Sequence, residues 1–173
     1  MRPLTLLALL WLASTARAGV YYLTIASYQV RGPTQAHSFA VVERISDTGL
    51  RERRCISWMP DGPIRLLAGP VAGRNWSERE TLEQAARIGA RVTYHGPYPV
   101  DAAFYLRFIA RLAELESGVI KYRALDGQGR DPGVSNCIGA ISTATLGFRL
   151  PTGLRYGERA SRRIALEYER ERR

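Results

Sequence analysis

"HSFAVVERISDTGLRERRCISWMP", His37 to Pro60, is the stretch whose reading decides the fold. Its first half alternates, placing His37, Phe39, Val41 and Ile45 on one face and Ser38 and Ala40 on the other, the period of a strand. Ser46-Asp47-Thr48-Gly49 then turns the chain. The run from Leu50 returns as an antiparallel partner until Pro60, which has no N–H for the ladder, ends it. Closing the hairpin around Asp47-Thr48-Gly49 sets Phe39 opposite Ser57 and Val41 opposite Cys55, so Ser57 comes diagonally near His37. A shift of one residue would instead bring Trp58 opposite Phe39, with Met59 and Pro60 nearer His37.

Upstream, "GVYYLTIASYQV" (Gly19–Val30) is rich in β-branched and aromatic residues and reads as another strand, followed by the loop "RGPTQA". Before it, Arg2, the apolar run Leu4–Ala13 and the small-x-small triplet Ala16-Arg17-Ala18 have the three-part layout of a secretory signal peptide. That run is too short to span a bilayer, which needs about 20 apolar residues. The expectation is cleavage near Ala18 and export to the periplasm or beyond. Residues 19–173 then form a single mature domain.

Downstream, the Gly/Pro-rich passage Asp61–Trp76 reads as a long loop, and loops of this length inside domains are often functional. Ser77 and Glu80 stand at capping-box spacing and open a helix with Leu82, Ala85, Ala86 and Ile88 on its apolar face, stopped by Gly89. "RVTYHGPYPV" (Arg91–Val100) reads as a short strand running into a turn that holds His95. Asp101 caps the clearest helix, with Phe104, Phe108, Leu112 and Leu115 on one face and Gly118 past its end. "VIKYRAL" reads as a strand and "DGQGRDPGVSN" as a loop, after which Ser135 or Asn136 caps a helix that buries Ile138 and Ile141. Tyr156, Ala160, Ile164 and Tyr168 recur every four residues, the stripe of a basic amphipathic C-terminal helix. Strands early and helices late predict an α+β fold, an antiparallel sheet packed against helices.

The formal charge is +9, and all the basic residues but Lys121 are arginine. Such an excess draws anionic partners, and for an exported chain these are envelope polymers or lipid headgroups. Nucleic acid is disfavoured, because aromatic and basic residues are not interleaved as a stacking platform requires. With two histidines and two cysteines far apart in sequence, a zinc site is poorly supported, no phosphate loop is present, and no metal or cofactor is expected. No later stretch is long and apolar enough to be transmembrane.

Chemistry centres on Cys137. A thiol in the first turn of a helix feels the positive end of the dipole, which favours thiolate, and the N–H groups there can hold an oxyanion. Its base is His37 or His95; His37 is preferred because a rigid sheet can aim it. Glu43 shares the His37 face but lies six residues away, about 20 Å along a strand. Ser57 is the candidate orienter of the imidazole, and Asn136 and Gln29 are candidate oxyanion donors. Two cysteines in an oxidising compartment also permit a Cys55–Cys137 disulfide, which would compete for the space near His37.

A histidine opening an early strand in "HSFAVV", followed about 100 residues later by "SNCIG" at a helix start, resembles the circularly permuted papain-like cysteine hydrolases. These are relatives of the NlpC-type cell-wall peptidases and of lecithin–retinol acyltransferase. The resemblance spans roughly Val20 to Thr145 in order of elements and implies Cys137 as nucleophile, His37 as base and Ser57 as third member. It departs in offering no His, Asn, Asp or Gln at the third position. The implied activity is an exported thiol hydrolase or acyltransferase acting on an amide or ester, with a peptidoglycan stem peptide or a lipid ester as substrate. The alternative is a non-catalytic exported binding protein of the same fold, with Cys137 buried or disulfide-bonded, that holds an anionic envelope polymer or lipid.

Overall fold

Residues Gly19–Gln29 form β1, which pairs antiparallel with β2 (Ala36–Ser46) from end to end, Tyr28 standing opposite His37. The computed structural model describes residues 19–30, 35–63, 69–125, 131–151 and 156–173. The expected signal segment, the centre of the 61–76 loop at 64–68, and most of the 31–36 loop lie outside them.

β2 turns at Asp47-Thr48 into β3 (Arg51–Ile56) in the first of the two registers considered, with Val41 opposite Cys55 and Ala40 opposite Ile56. The return strand does not continue unbroken to Pro60. It breaks at Ser57, and Trp58–Pro60 forms β4 in a second sheet. Asn75 bridges the break, its Oδ1 accepting from Ser57 N at 2.8 Å while Nδ2 donates to the Cys55 carbonyl at 3.0 Å. Asn75 ends β5 (Val71–Asn75), so the passage read as one long loop contains a strand. β4 and β5 lie close because Gly73 has no side chain: a Cβ there would sit 2.0 Å from the Trp58 ring.

β6 (Arg91–Val100) is a full ten-residue strand on the other side of β1, not a short strand and turn. It passes through the cis Gly96-Pro97 bond, and the register shifts opposite Leu23–Ile25. At Gly96, φ is 104° and a Cβ would meet the Leu23 carbonyl at 2.7 Å, so only glycine lets the strand continue. The first sheet has the antiparallel order β3-β2-β1-β6. The second, β4-β5-β7-β8, adds two-residue strands at Lys121–Tyr122 (β7) and Val134–Ser135 (β8), which pair in parallel.

Among the described residues, four helices pack on the first sheet. The predicted Ser77/Glu80 capping box opens α1 (Glu78–Arg87), and Asp101 caps α2 (Ala102–Glu116) by accepting from Phe104 N at 2.6 Å. Asn136, rather than Ser135, caps α3 (Cys137–Leu146). This helix has little polar surface: eight of its residues are buried, as befits a central helix packed on all sides. α4 (Glu158–Glu171) buries Ala160, Ile164 and Tyr168, the stripe read from the sequence, with Ser161 and Ala165 beside it.

The period of two divides the sheet into a thick side and a thin side. On the thick side Leu23, Ile25, Ala40, Val42 and Ile56 pack with the inner faces of α2, α3 and α4, including Phe108, Leu115, Ile141 and Ile164. On the thin side Ala26, Tyr28, Phe39, Val41 and Cys55 pack under α1 through Ala85, Leu82 and Ile88. The fold is thus α+β, with one antiparallel sheet at its centre. Among the described residues no helix is long and apolar enough to cross a membrane.

Candidate functional site

His37 is set by β2 on the thin side of the sheet, two residues before Phe39, and only 2 % of its surface is exposed. Its ring lies between Phe39, stacked at 6.4 Å, and Tyr28 across the strand pair at 5.3 Å. Its Nε2 lies 2.8 Å from Ser57 Oγ, the polar contact of its ring nitrogens among the described residues. Ser57 reaches it because β3 ends one residue earlier and the backbone leaves the ladder there. The hairpin register therefore brings together the pair that the sequence placed as diagonal neighbours.

Ser57 Oγ is in turn held by α1. Thr81 Oγ1 lies 2.7 Å from it, as donor, and 2.8 Å from the Ser77 carbonyl, the other acceptor for its single proton. Ser57, Thr81 and His37 are all buried. A hydroxyl can accept and donate, so Ser57 serves either state of the ring: it accepts from a protonated Nε2 or donates to a bare one. Unlike a carboxylate it brings no negative charge. With no anion to offset burial, the His37 pKa falls from 6.5 to about 3, and the ring is neutral at physiological pH.

Cys137 is the first residue of α3 and 7 % exposed. Burial of Tyr28, and to a lesser degree the Coulombic influence of Cys137, pushes the Tyr28 phenol up to about 12. Tyr28 is therefore a shared neighbour: its ring packs on His37 and its hydroxyl lies within the electrostatic reach of Cys137.

The remaining candidates are committed elsewhere. Asn136 Oδ1 accepts from Gly139 N at 2.9 Å, and its Nδ2 donates to the Ala124 carbonyl at 3.1 Å, so the side chain is the clasp of the α3 cap. Gln29 Oε1 accepts from Glu158 N at 3.4 Å, which turns it to the start of α4. Glu43 pairs with Arg51 and Arg53. Cys55 and Cys137 are both free thiols and belong to the two different apolar clusters, so no disulfide joins them. Burial, with Glu78 close by, raises the Cys55 thiol far above its usual range.

His95 faces the thick side, not a solvent turn. Its Nε2 is 3.4 Å from Ser161 Oγ, and Ser161 is also 2.9 Å from Ser27 Oγ. Burial lowers its pKa, with Glu158, Arg162 and Glu169 acting on it from α4.

Sequence reasoning missed two members of the His37 surroundings. Thr81 carried a signal, since it lies four residues before Ala85 and so shares the inward stripe of α1. Tyr28 carried one only through the β1–β2 register, which no short turn announces. Among the described residues, no three His, Cys, Asp or Glu side chains converge as metal ligands. Comparison of the chain with protein-family models, with curated proteins and with solved structures finds no match.

Proposed function

We propose that the chain is an exported thiol hydrolase or acyltransferase of the permuted papain-like architecture, acting on an amide or ester of an envelope substrate such as a peptidoglycan peptide or a lipid ester. The observation that carries this reading is the buried His37–Ser57 pair, with Tyr28 packed on the His37 ring and within electrostatic reach of Cys137, a cysteine that begins a helix.

In this reading Nε2 is held by Ser57, so Nδ1 is the nitrogen that exchanges a proton with the thiol. A base with a lone pair on Nδ1 carries its proton on Nε2 and donates it to Ser57 Oγ. Because burial keeps His37 neutral, its imidazole rests as a base able to take a proton. His37 takes the thiol proton as Cys137 Sγ bonds to the substrate carbonyl carbon. The imidazolium then protonates the leaving amine or alcohol as the C–N or C–O bond breaks, leaving a thioester. Water or an acceptor hydroxyl attacks next, gives its proton to His37, and the S–C bond breaks. The positive end of α3 favours the oxyanion. The Tyr28 hydroxyl, protonated at physiological pH, is a further candidate donor, since the Asn136 amide N–H is engaged with the Ala124 carbonyl.

One observation favours a second reading. His37 and Cys137 are almost fully buried, as they would be in the core of a non-catalytic binding protein for an anionic polymer or lipid. Iodoacetamide labelling with site-resolved mass spectrometry separates the two readings. The hydrolase reading expects Cys137 of the unreduced protein to be alkylated faster than Cys55, and at least ten-fold slower in folded His37→Gln. Equal Cys137 rates in the two proteins would leave a buried thiol and no activated pair.

A further inference from the structure

Arg53, Arg74, Arg79, Arg111 and Arg170 each have a carboxylate partner. Arg91, Arg159 and Arg162 have none among the described residues, all three are exposed, and they line one groove. The groove has a volume of about 460 Å³ and lies between the β1–β6 pair and the first turns of α4. Its floor comes from two successive cross-strand pairs, Ser27 with Thr93 and Gln29 with Arg91. One carboxylate, Glu158, also lines it, so the balance of charge in the groove is positive.

We infer that this groove binds a phosphate ester. Guanidinium groups present planar N–H forks that match a phosphate oxyanion and stay charged at any physiological pH. Three of them facing one hollow against a single carboxylate repel one another, and a phosphate anion relieves that repulsion. Thr93 adds a hydroxyl to the lining. The volume exceeds that of phosphate alone, so the occupant carries a substituent.

A second hollow of about 440 Å³ shares Arg159 and Arg162 as its wall and adds Arg163, Leu166 and Glu167. Leu166 is 57 % exposed there. An apolar side chain beside a phosphate-binding wall suits a headgroup followed by the glycerol end of a lipid, and a soluble phosphate ester would use the first hollow only. The site stands whether or not Cys137 is a nucleophile.

The test is titration of the full protein by calorimetry with inorganic phosphate and glycerol 3-phosphate, and by co-sedimentation with vesicles. The vesicles contain ether-linked phosphatidylglycerol in phosphatidylcholine, or phosphatidylcholine alone. None of these probes has an acyl bond in the anionic component, so the loss of thiol chemistry leaves the result unaffected. The expected result is binding to at least one phosphate monoester or anionic vesicle that weakens ten-fold or more in Arg159→Gln/Arg162→Gln. It is retained within two-fold in Arg79→Gln/Arg170→Gln, which removes equal charge from ion-paired positions elsewhere. Binding to vesicles alone assigns the phosphate to a lipid, and binding to glycerol 3-phosphate alone assigns it to a soluble ester. The proposal is overturned if no probe binds, if phosphatidylcholine alone binds as well, or if both double variants lose affinity equally, since that is attraction by net charge.

Discussion

The two histidines stand on one sheet and face opposite sides of it, and each has a serine hydroxyl near Nε2. His37, on the thin side, has its serine at 2.8 Å, is fully enclosed, and sees no charged neighbour strong enough to offset burial. His95, on the thick side, has its serine at 3.4 Å and is surrounded by Glu158, Glu169 and Arg162. The first serine belongs to a break between sheets and is held by a second hydroxyl. The second sits within a helix, and its Oγ also donates to its own turn at the Glu158 carbonyl, 3.1 Å away. Ser57 is held at the break by Thr81, whereas Ser161 shares its hydroxyl among His95, Ser27 of β1 and its own turn. His37 is thus the more closely held of the two rings.

Four measurements break or sharpen the contrast. The largest effect is expected for His37→Gln, which keeps a hydrogen-bonding group but no base: acyl transfer should fall by about two to four decades, the usual contribution of a general base. Turnover on a peptide or ester panel reads this, and an unchanged rate would move the base elsewhere. Next is acid stability. The folded pKa of His37 is depressed from 6.5 to about 3, so between those values the unfolded chain binds a proton that the native chain refuses. The contribution is complete above pH 6.5 and lost as pH falls toward 3, at about 1.4 kcal/mol per pH unit. Urea denaturation of wild type and His37→Gln across this range should show a flatter slope in the variant; parallel slopes would refute the assignment.

Smaller still, Ser57→Ala leaves His37 Nε2 without its one described partner and should destabilise by about 1–3 kcal/mol. Thr81→Val removes a hydroxyl that has another acceptor in reach, and about 1 kcal/mol is expected, read by thermal unfolding. A Thr81 effect larger than that of Ser57 would make α1, rather than the sheet break, the anchor of the ring. The smallest effect belongs to His95→Gln: Cys137 labelling should stay within two-fold of wild type, and a larger change would erase the contrast between the two faces.

How much of this was legible depended on the range of each signal. The β2–β3 hairpin was, because a short turn fixes register and the register decides who meets His37. The Ser77/Glu80 box and the cap at Asp101 were, because each is a contact within three residues, while the α3 cap was narrowed only to Ser135 or Asn136. The α+β class followed from these and from the stripes of α2 and α4. β5 was hidden inside a Gly-rich passage because its identity as a strand comes from Trp58 lying over Gly73, a contact between distant residues. β6 was cut short because Gly96-Pro97 reads locally as a turn, whereas the bulge opposite Leu23–Ile25 absorbs it. Of the site, His37 with Ser57 could be derived. Gln29 and Asn136 could be named as amides near the right elements, but not that α4 and the α3 cap would claim them.

The two apolar clusters hold one thiol each, Cys55 under α1 and Cys137 at the head of α3. Each is sealed by a different layer, so each reports when that layer lifts. In the regime where reclosing outpaces labelling, the modification rate of a buried thiol measures the free energy of the opening that exposes it. The chain thus carries its own pair of native-state reporters, needing no introduced probe. Undocking of α1 alone would unmask Cys55 and leave Cys137 silent, whereas global unfolding would release both at one rate.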